Sequence, residues 1–186
     1  MGLTVVYETH TTTTDNERGI ATGWLPGALS EAGRREAQEL GERRRNDDIA
    51  AVFASDLRRA VETGGIAFRE TNIPIYHDAR LRECNYGAMN GMPVAQFAGK
   101  RLRHIDTPFP AGESYRQVVE RTRSFLRDIN GRYENSRIVV IGHSANRWSL
   151  EHLVNGVPLE DLVDAPFNWQ PGWEYVVGRV SAKPVV

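Results

Sequence analysis

The chain has 186 residues, 40% of them hydrophobic and 25% charged, a balance that fits a single globular domain with one substantial core. Lys+Arg 23 against Asp+Glu 24 leaves a net charge of −1, which excludes an overall electrostatic pull toward nucleic acid or an anionic membrane. A lone cysteine, Cys84, excludes an internal disulfide framework and a multi-cysteine zinc site, and no stretch approaches the roughly 20 apolar residues that span a bilayer, so a cytoplasmic protein is expected.

In chain order, Leu3 to Glu8 (LTVVYE) is short, apolar and rich in β-branched residues, which predicts a buried strand. The four threonines Thr11 to Thr14 predict a loop. Ser30 to Arg45 follows a turn-like Pro26-Gly27, carries strong helix formers and sets Ala37, Leu40 and Gly41 on one face. Ile49 to Ala54 predicts a second buried strand, Asp56 to Arg69 a second helix and Ile73 to His77 a short strand. Residues 78–112 show no clear period and are broken by Gly87, Gly91, Pro93, Gly99, Pro108 and Pro110; an irregular insertion of that length is more often functional than idle. From Ser114 to Tyr133, Tyr115, Val118, Val119, Thr122, Phe125, Leu126 and Ile129 recur at helical spacing. Arg137 to Gly142 (RIVVIG) predicts a strand, Asn146 to Asn155 a helix and Glu174 to Val180 a last strand. Alternating apolar strands and helices predict an α/β three-layer sandwich with a mostly parallel central sheet.

In such a sheet, ligands bind beyond the carboxyl ends of the strands. His10 lies two residues past the first strand, Ser55, Asp56 and Arg59 follow the second, and His143 directly follows Ile141-Gly142. Three remote segments thus deliver His, Arg and His to one edge, whereas His77, His104 and His152 have no such expected placement. Competing chemistries find less support. The i, i+4 His pair of a metalloprotease helix is absent, so no metal is expected. Cys84 is followed six residues later by Asn90, where a cysteine phosphatase loop needs Arg. No phosphate-cradling P-loop and no GxGxxG occurs, so no nucleotide cofactor is expected, and Ser144 is not framed as a nucleophile elbow.

The segments THTTTTDN (Thr9 to Asn16), GWLPGALSEAGRREA (Gly23 to Ala37), SDLRRAVET (Ser55 to Thr63), LRECNYGAMNG (Leu81 to Gly91), GESYRQV (Gly112 to Val118) and IGHSA (Ile141 to Ala145), in this order and spacing, resemble the histidine phosphatase superfamily, with its phosphoglycerate-mutase-like fold, over nearly the whole chain. The resemblance implies a nucleophile at His10, phosphate-pocket residues at Asn16, Arg59 and His143, a proton donor at Glu83, and substrate contacts at Thr22 and Gly23, with Thr11 and Ser144 beside them. It implies a cofactor-independent phosphatase acting on a small phosphorylated metabolite through phosphohistidine. Partners would be that substrate or inorganic phosphate, not nucleic acid or membrane, with a homodimer possible. The chain lacks room for the insertion and tail that mutases of the family share, so hydrolase is preferred to mutase.

One departure stands out. The family usually reads Arg-His-Gly at the first strand end, and this chain reads Thr9-His10-Thr11. Losing one transition-state donor costs on the order of a hundredfold in rate. Arg18, Arg82 or Arg147 is then a candidate substitute, the hydroxyls and amides of Thr11 to Thr14 are another source of donors, and a binding or regulatory protein, or altered chemistry on the same fold, is the alternative. Substrate recognition is expected from Met89 to Gly112 and from Trp148, Trp169 and Trp173, with Arg101, Arg103 and His104 as a basic loop.

Overall fold

A computed structural model describes residues 2–97 and 99–178. Among these described residues seven strands form in chain order: β1 (Leu3–Thr9), β2 (Ile20–Ala21), β3 (Ile49–Ala54), β4 (Ile75–His77), β5 (Met92–Pro93), β6 (Arg137–Gly142) and β7 (Trp173–Val177). The α-helices are α1 (Thr14–Glu17), α2 (Glu31–Arg44), α3 (Arg58–Ala67), α4 (Tyr115–Arg132) and α5 (Ser144–Asn155). Five strands make the central sheet in the order β4-β3-β6-β1-β7, parallel except for β7.

The side-chain alternation of the strands builds the layers. Val6, Val52, Ala54, Val139 and Ile141 face Leu40 of α2 and Ala60 of α3. Leu3, Val5, Tyr7, Ala51, Phe53, Ile138 and Val140 face Phe125, Leu126 and Ile129 of α4 and Leu150 of α5. Covering both faces explains why β6 is an unbroken apolar run, as parallel strands require. β7 sits at the edge and alternates instead, with Tyr175 and Val177 buried and Glu174 and Val176 outward. The residues 179–180 of its predicted span lie outside the described residues.

The long amphipathic helix is the best-matched element: α4 buries all seven residues that its period selects. Ser114 caps it, its hydroxyl accepting from Gln117 N–H (3.2 Å) while the Gln117 carboxamide oxygen accepts from Ser114 N–H (2.8 Å). The threonine run is only partly a loop. Thr13 is an N-cap whose hydroxyl accepts from Asn16 N–H, opening the single turn of α1.

Residues 78–112 are more ordered than their lack of period suggests. Short 3-10 turns carry the chain through Ala79–Leu81, Gly87–Met89, Val94–Gln96 and Arg101–His104, and β5 pairs antiparallel with β2. Tyr86, Phe97 and Phe109 form an aromatic cluster with Tyr115 and Trp148 from α4 and α5. Buried contacts of irregular spacing replace a helical or strand period there, so periodicity cannot find them. The β2–β5 pair holds this insertion against the segment that leads into Gly23 and Trp24.

Two helical glycines separate packing from propensity. A Cβ at Gly33 in α2 would overlap the Thr12 carbonyl, whereas one at Gly65 in α3 meets nothing within 4 Å. Gly33→Ala is therefore expected to lower stability by about 1–3 kcal/mol, and Gly65→Ala to raise it by about 0.5–1 kcal/mol. Urea unfolding of the two variants checks both signs.

Candidate active site

Parallel register brings the two histidines together. Thr9 lies opposite Gly142, and His10 N–H extends the ladder by donating to Gly142 O at 2.9 Å. His10 and His143, next along each strand, end with ring centroids 5.0 Å apart. Ser55 N–H donates to Ile141 O (2.9 Å), docking the end of β3 on the same edge and launching α3. Arg59 is the second residue of α3. The Thr63 hydroxyl one turn on donates to Arg59 O (2.8 Å), and its oxygen receives Thr11 N–H (3.1 Å), tying the Arg59 turn to the residue after His10.

Arg59 is only 2% exposed, and no carboxylate pairs with it among the described residues. Its guanidinium donates from Nη2 to Gly23 O (2.8 Å) and from Nη1 to Leu25 O (3.2 Å). Its Nε reaches His10 Nε2 and its Nη2 reaches His143 Nδ1, both at 3.2 Å. A guanidinium can only donate, so both imidazole nitrogens accept. The Thr11 carbonyl, 2.8 Å from His10 Nδ1, can only accept, so that nitrogen carries the proton. His10 is thus a neutral imidazole with its lone pair on Nε2, directed into the site. Burial and the Arg59 charge hold its pKa at about 3.

The same logic places the proton of His143 on Nε2. That atom is buried and has no hydrogen-bond partner among the described residues. A buried donor with no acceptor is costly and calls for an explanation. Burial, Arg59 and His10 hold His143 well below its ordinary pKa, so it remains a neutral donor. A buried unpaired guanidinium beside an orphan N–H donor constitutes a preformed demand for an anion.

Glu83 completes the group. It is 8% exposed, and burial raises its carboxyl pKa against the opposing pull of Cys84 N–H, Arg59, Arg121 and Ala145 N–H. Its Oε1 accepts from Cys84 N–H at 2.7 Å, and its backbone carbonyl accepts from Trp24 Nε1 (2.6 Å) and Arg121 Nη2 (2.9 Å). A buried carboxyl group whose pKa is raised, close enough to feel the Arg59 charge, has the character of a general acid.

The other sequence-derived positions divide. Gly23 is in the site, its positive φ of 55° turning its carbonyl onto Arg59. Thr11 contributes its carbonyl to His10. The Thr22 hydroxyl is taken up by Asp15 Oδ2 at 2.8 Å. Ser144 opens α5 beside His143, with no side-chain hydrogen bond among the described residues. Asn16 is exposed, its carboxamide oxygen held by Thr13, and it makes no bond to His10, Arg59 or His143.

None of the candidate substitute arginines bonds to the two histidines. Arg82 is bidentate to Asp56 (2.7 and 2.6 Å) and lies over the Trp24 ring, Arg147 packs over Phe167 and Trp173, and Arg18 is the exposed cap of α1. Trp148 is core, and Trp169 is 61% exposed over Arg43. The tryptophan that touches the site is Trp24. His77 does end a parallel strand, but exposed and at the sheet edge. Among the described residues no group of three His, Cys, Asp or Glu could hold a metal, and no helix is long and apolar enough to cross a membrane.

Three supporting residues carried legible signals that the motifs overshadowed. Tyr7 is a polar-tipped residue in an apolar strand, and a buried phenol needs a partner. Asn146 sits at the third helical position after His143, where a side chain can reach back to the cap. Trp24 follows directly on Gly23.

Comparison with known proteins identifies the family and the fold. The model of the histidine phosphatase superfamily (branch 1) matches residues 9–170. Phosphoserine phosphatase 1 of Hydrogenobacter thermophilus is 26% identical over 152 residues, 77% of this chain and 72% of that protein. Phosphoglycerate mutase-like protein 4 of Arabidopsis thaliana is 32% identical over 151 residues, 75% of this chain and 65% of that protein. The chain thus spans about two thirds of the length of such relatives. The solved structure of Bacillus stearothermophilus YhfR superimposes with a TM-score of 0.80 at 26% identity, covering 96% of this chain and 100% of that one. With the family's pattern running from Thr9 past the last helix and the fold reproduced in full, the chain belongs to the histidine phosphatase superfamily.

Proposed function

We propose that this protein hydrolyses phosphomonoesters of small metabolites through a phosphohistidine on His10. The observation that carries the reading is the buried Arg59, unpaired with any carboxylate among the described residues and shared between the nucleophilic nitrogen of His10 and the ring of His143, whose own N–H is left without an acceptor.

The chemistry follows from these groups. A bound phosphate takes the donors of Arg59 and the Nε2–H of His143, and Arg59 Nε releases the His10 lone pair. His10 Nε2 then attacks phosphorus in line with the leaving oxygen; the P–N bond forms as the P–O bond breaks, and Glu83 gives its proton to the departing alkoxide. Water next attacks phosphorus, Glu83 recovers a proton from it, and the P–N electron pair returns to His10. Phosphohistidine is acid-labile, so a rapid alkaline quench of protein reacting with a radiolabelled ester is expected to leave label on His10 and none on His10→Ala. Steady hydrolysis by His10→Ala at the native rate would contradict the reading.

Thr9 bears on the rate. Position 9 carries no charge, and none of Arg18, Arg82 and Arg147 bonds to the two histidines. Thr9→Arg is expected to raise phosphate release by about tenfold or more, since one transition-state donor is worth 10²–10³ in rate by rough count. An unchanged or lower rate would mean that the pocket is built around threonine. Thr9 also favours a second reading, anion binding without turnover. Orthophosphate binding with no release from a panel of esters would establish it.

The pH dependence has a definite sign. kcat/KM requires neutral His10 and protonated Glu83 in the free protein. His10, held at about 3, stays neutral until strong acid, whereas Glu83 gives up its proton as pH rises through its elevated pKa. kcat/KM for an alkyl phosphate is expected to decline on the alkaline side, and Glu83→Gln to abolish that decline along with most of the rate. A Glu83→Gln profile with the native alkaline limb would assign the limb to another group.

A further inference from the structure

The acid and the phosphate-binding imidazole come from segments 60 residues apart in sequence, yet one side chain joins them. Asn146 is fully buried (0% exposed) in the first turn of α5. Its Oδ1 accepts from His143 N–H at 3.1 Å, and its Nδ2 donates to Arg82 O at 3.3 Å. The first bond grips the main chain of the anion-binding histidine. The second grips the peptide group that leads directly into Glu83.

The surroundings give that bridge a fixed base. From the opposite side the Tyr7 hydroxyl donates to His143 O at 2.6 Å, and Tyr7 is itself packed in the core and against Trp173. A Cβ at Gly142 would lie 2.7 Å from the Tyr7 hydroxyl and 2.9 Å from Asn146 Oδ1, so only glycine allows both groups to close on the His143 backbone. On the Glu83 side, Trp24 Nε1 and Arg121 Nη2 hold the next carbonyl along, and Arg121 is anchored by Glu113 at 3.0 Å. Each end of the bridge is therefore attached to a rigid element.

We propose that Asn146 is a positioning residue for the hydrolysis: by bridging the His143 main chain to the Arg82–Glu83 peptide it sets the distance between the imidazole that receives a phosphoryl oxygen and the carboxyl group that protonates the leaving group. The proposal rests on the phosphatase reading above. It has a chemical signature that loss of stability does not share. Nitrophenolate departs without a proton, whereas an alkyl alkoxide needs the acid in place. Displacing Glu83 relative to His143 penalises the second reaction selectively, while a general loosening of the fold slows both.

The test is the ratio of kcat/KM on glycerol 2-phosphate to kcat/KM on 4-nitrophenyl phosphate, because kcat/KM ends at departure of the leaving group, whereas the later hydrolysis, in which Glu83 also serves, is common to both esters. For Asn146→Ser the ratio is expected to fall by about tenfold, a fraction of the 10²–10⁴ that a general acid contributes in rough terms, with inhibition by orthophosphate shifted much less. Asn146→Asp keeps the acceptor for His143 N–H but replaces the donor to Arg82 O, and is expected to lower the ratio in the same direction. A ratio equal to that of the native protein in both variants overturns the proposal, whether the two rates fall together or not at all. Failure of both variants to fold also counts against it, since Asn146 would then be structural. Native protein that releases phosphate from neither ester refutes the phosphatase reading itself, an outcome distinct from an unchanged ratio in an active pair.

Discussion

A buried positive charge without a counter-charge is the constraint around which this molecule is arranged. Removing an ion from water costs several kcal/mol even after relaxation, and Arg59 bears that cost with backbone carbonyls and neutral imidazoles as its neighbours. The carbonyls of Gly23 and Leu25 solvate the guanidinium without neutralising it. Each imidazole adopts the tautomer that turns a lone pair toward it. That choice leaves the His143 Nε2 proton orphaned and the His10 nucleophile capped by Arg59. Both features make sense if an anion enters: it supplies the missing charge, accepts the orphan proton's hydrogen bond and uncovers the nucleophile. The neutrality of His10 and the raised pKa of Glu83 are consequences of the same burial.

The fold supplies this geometry with few parts. Two parallel strands paired in register deliver two histidines side by side, and a third delivers the helix that carries Arg59. What the sheet does not supply is the carboxyl group proposed as the acid. Glu83 arrives on the insertion and must be held by side chains reaching across from other elements, namely Trp24, Arg121 and Asn146. The insertion in turn is fastened by the β2–β5 pair and by an aromatic cluster shared with α4 and α5. That fastening holds Glu83 in place.

Much of this was legible in the residues. The apolar runs of β1, β3 and β6 and the seven buried positions of α4 follow from periodicity alone, and the strand-end rule leads to His10, Arg59 and His143 without further information. Glu83 needed the family pattern, because a carboxylate in an aperiodic loop carries no local signal of burial. The resemblance places Asn16 and Thr22 at the phosphate, and chemical type makes Arg82 and Arg147 candidate substitutes; their side chains bond to or pack against Thr13, Asp15, Asp56 and aromatic faces. Which partner wins depends on tertiary distances that spacing does not encode. Neither the partner of Tyr7, His143 O, nor that of the Asn146 donor, Arg82 O, is encoded in spacing, since both lie in remote segments.

On the proposed mechanism, Arg59 and the two histidines form an anion site in which occupancy frees the His10 lone pair. A crystal structure of the protein with vanadate tests it most directly. Vanadium is expected on His10 Nε2, with oxygens bonded to Arg59 and to His143 Nε2, and the Arg59 to His10 hydrogen bond broken. Vanadate bound elsewhere, or that hydrogen bond intact beneath a bound oxyanion, would contradict it.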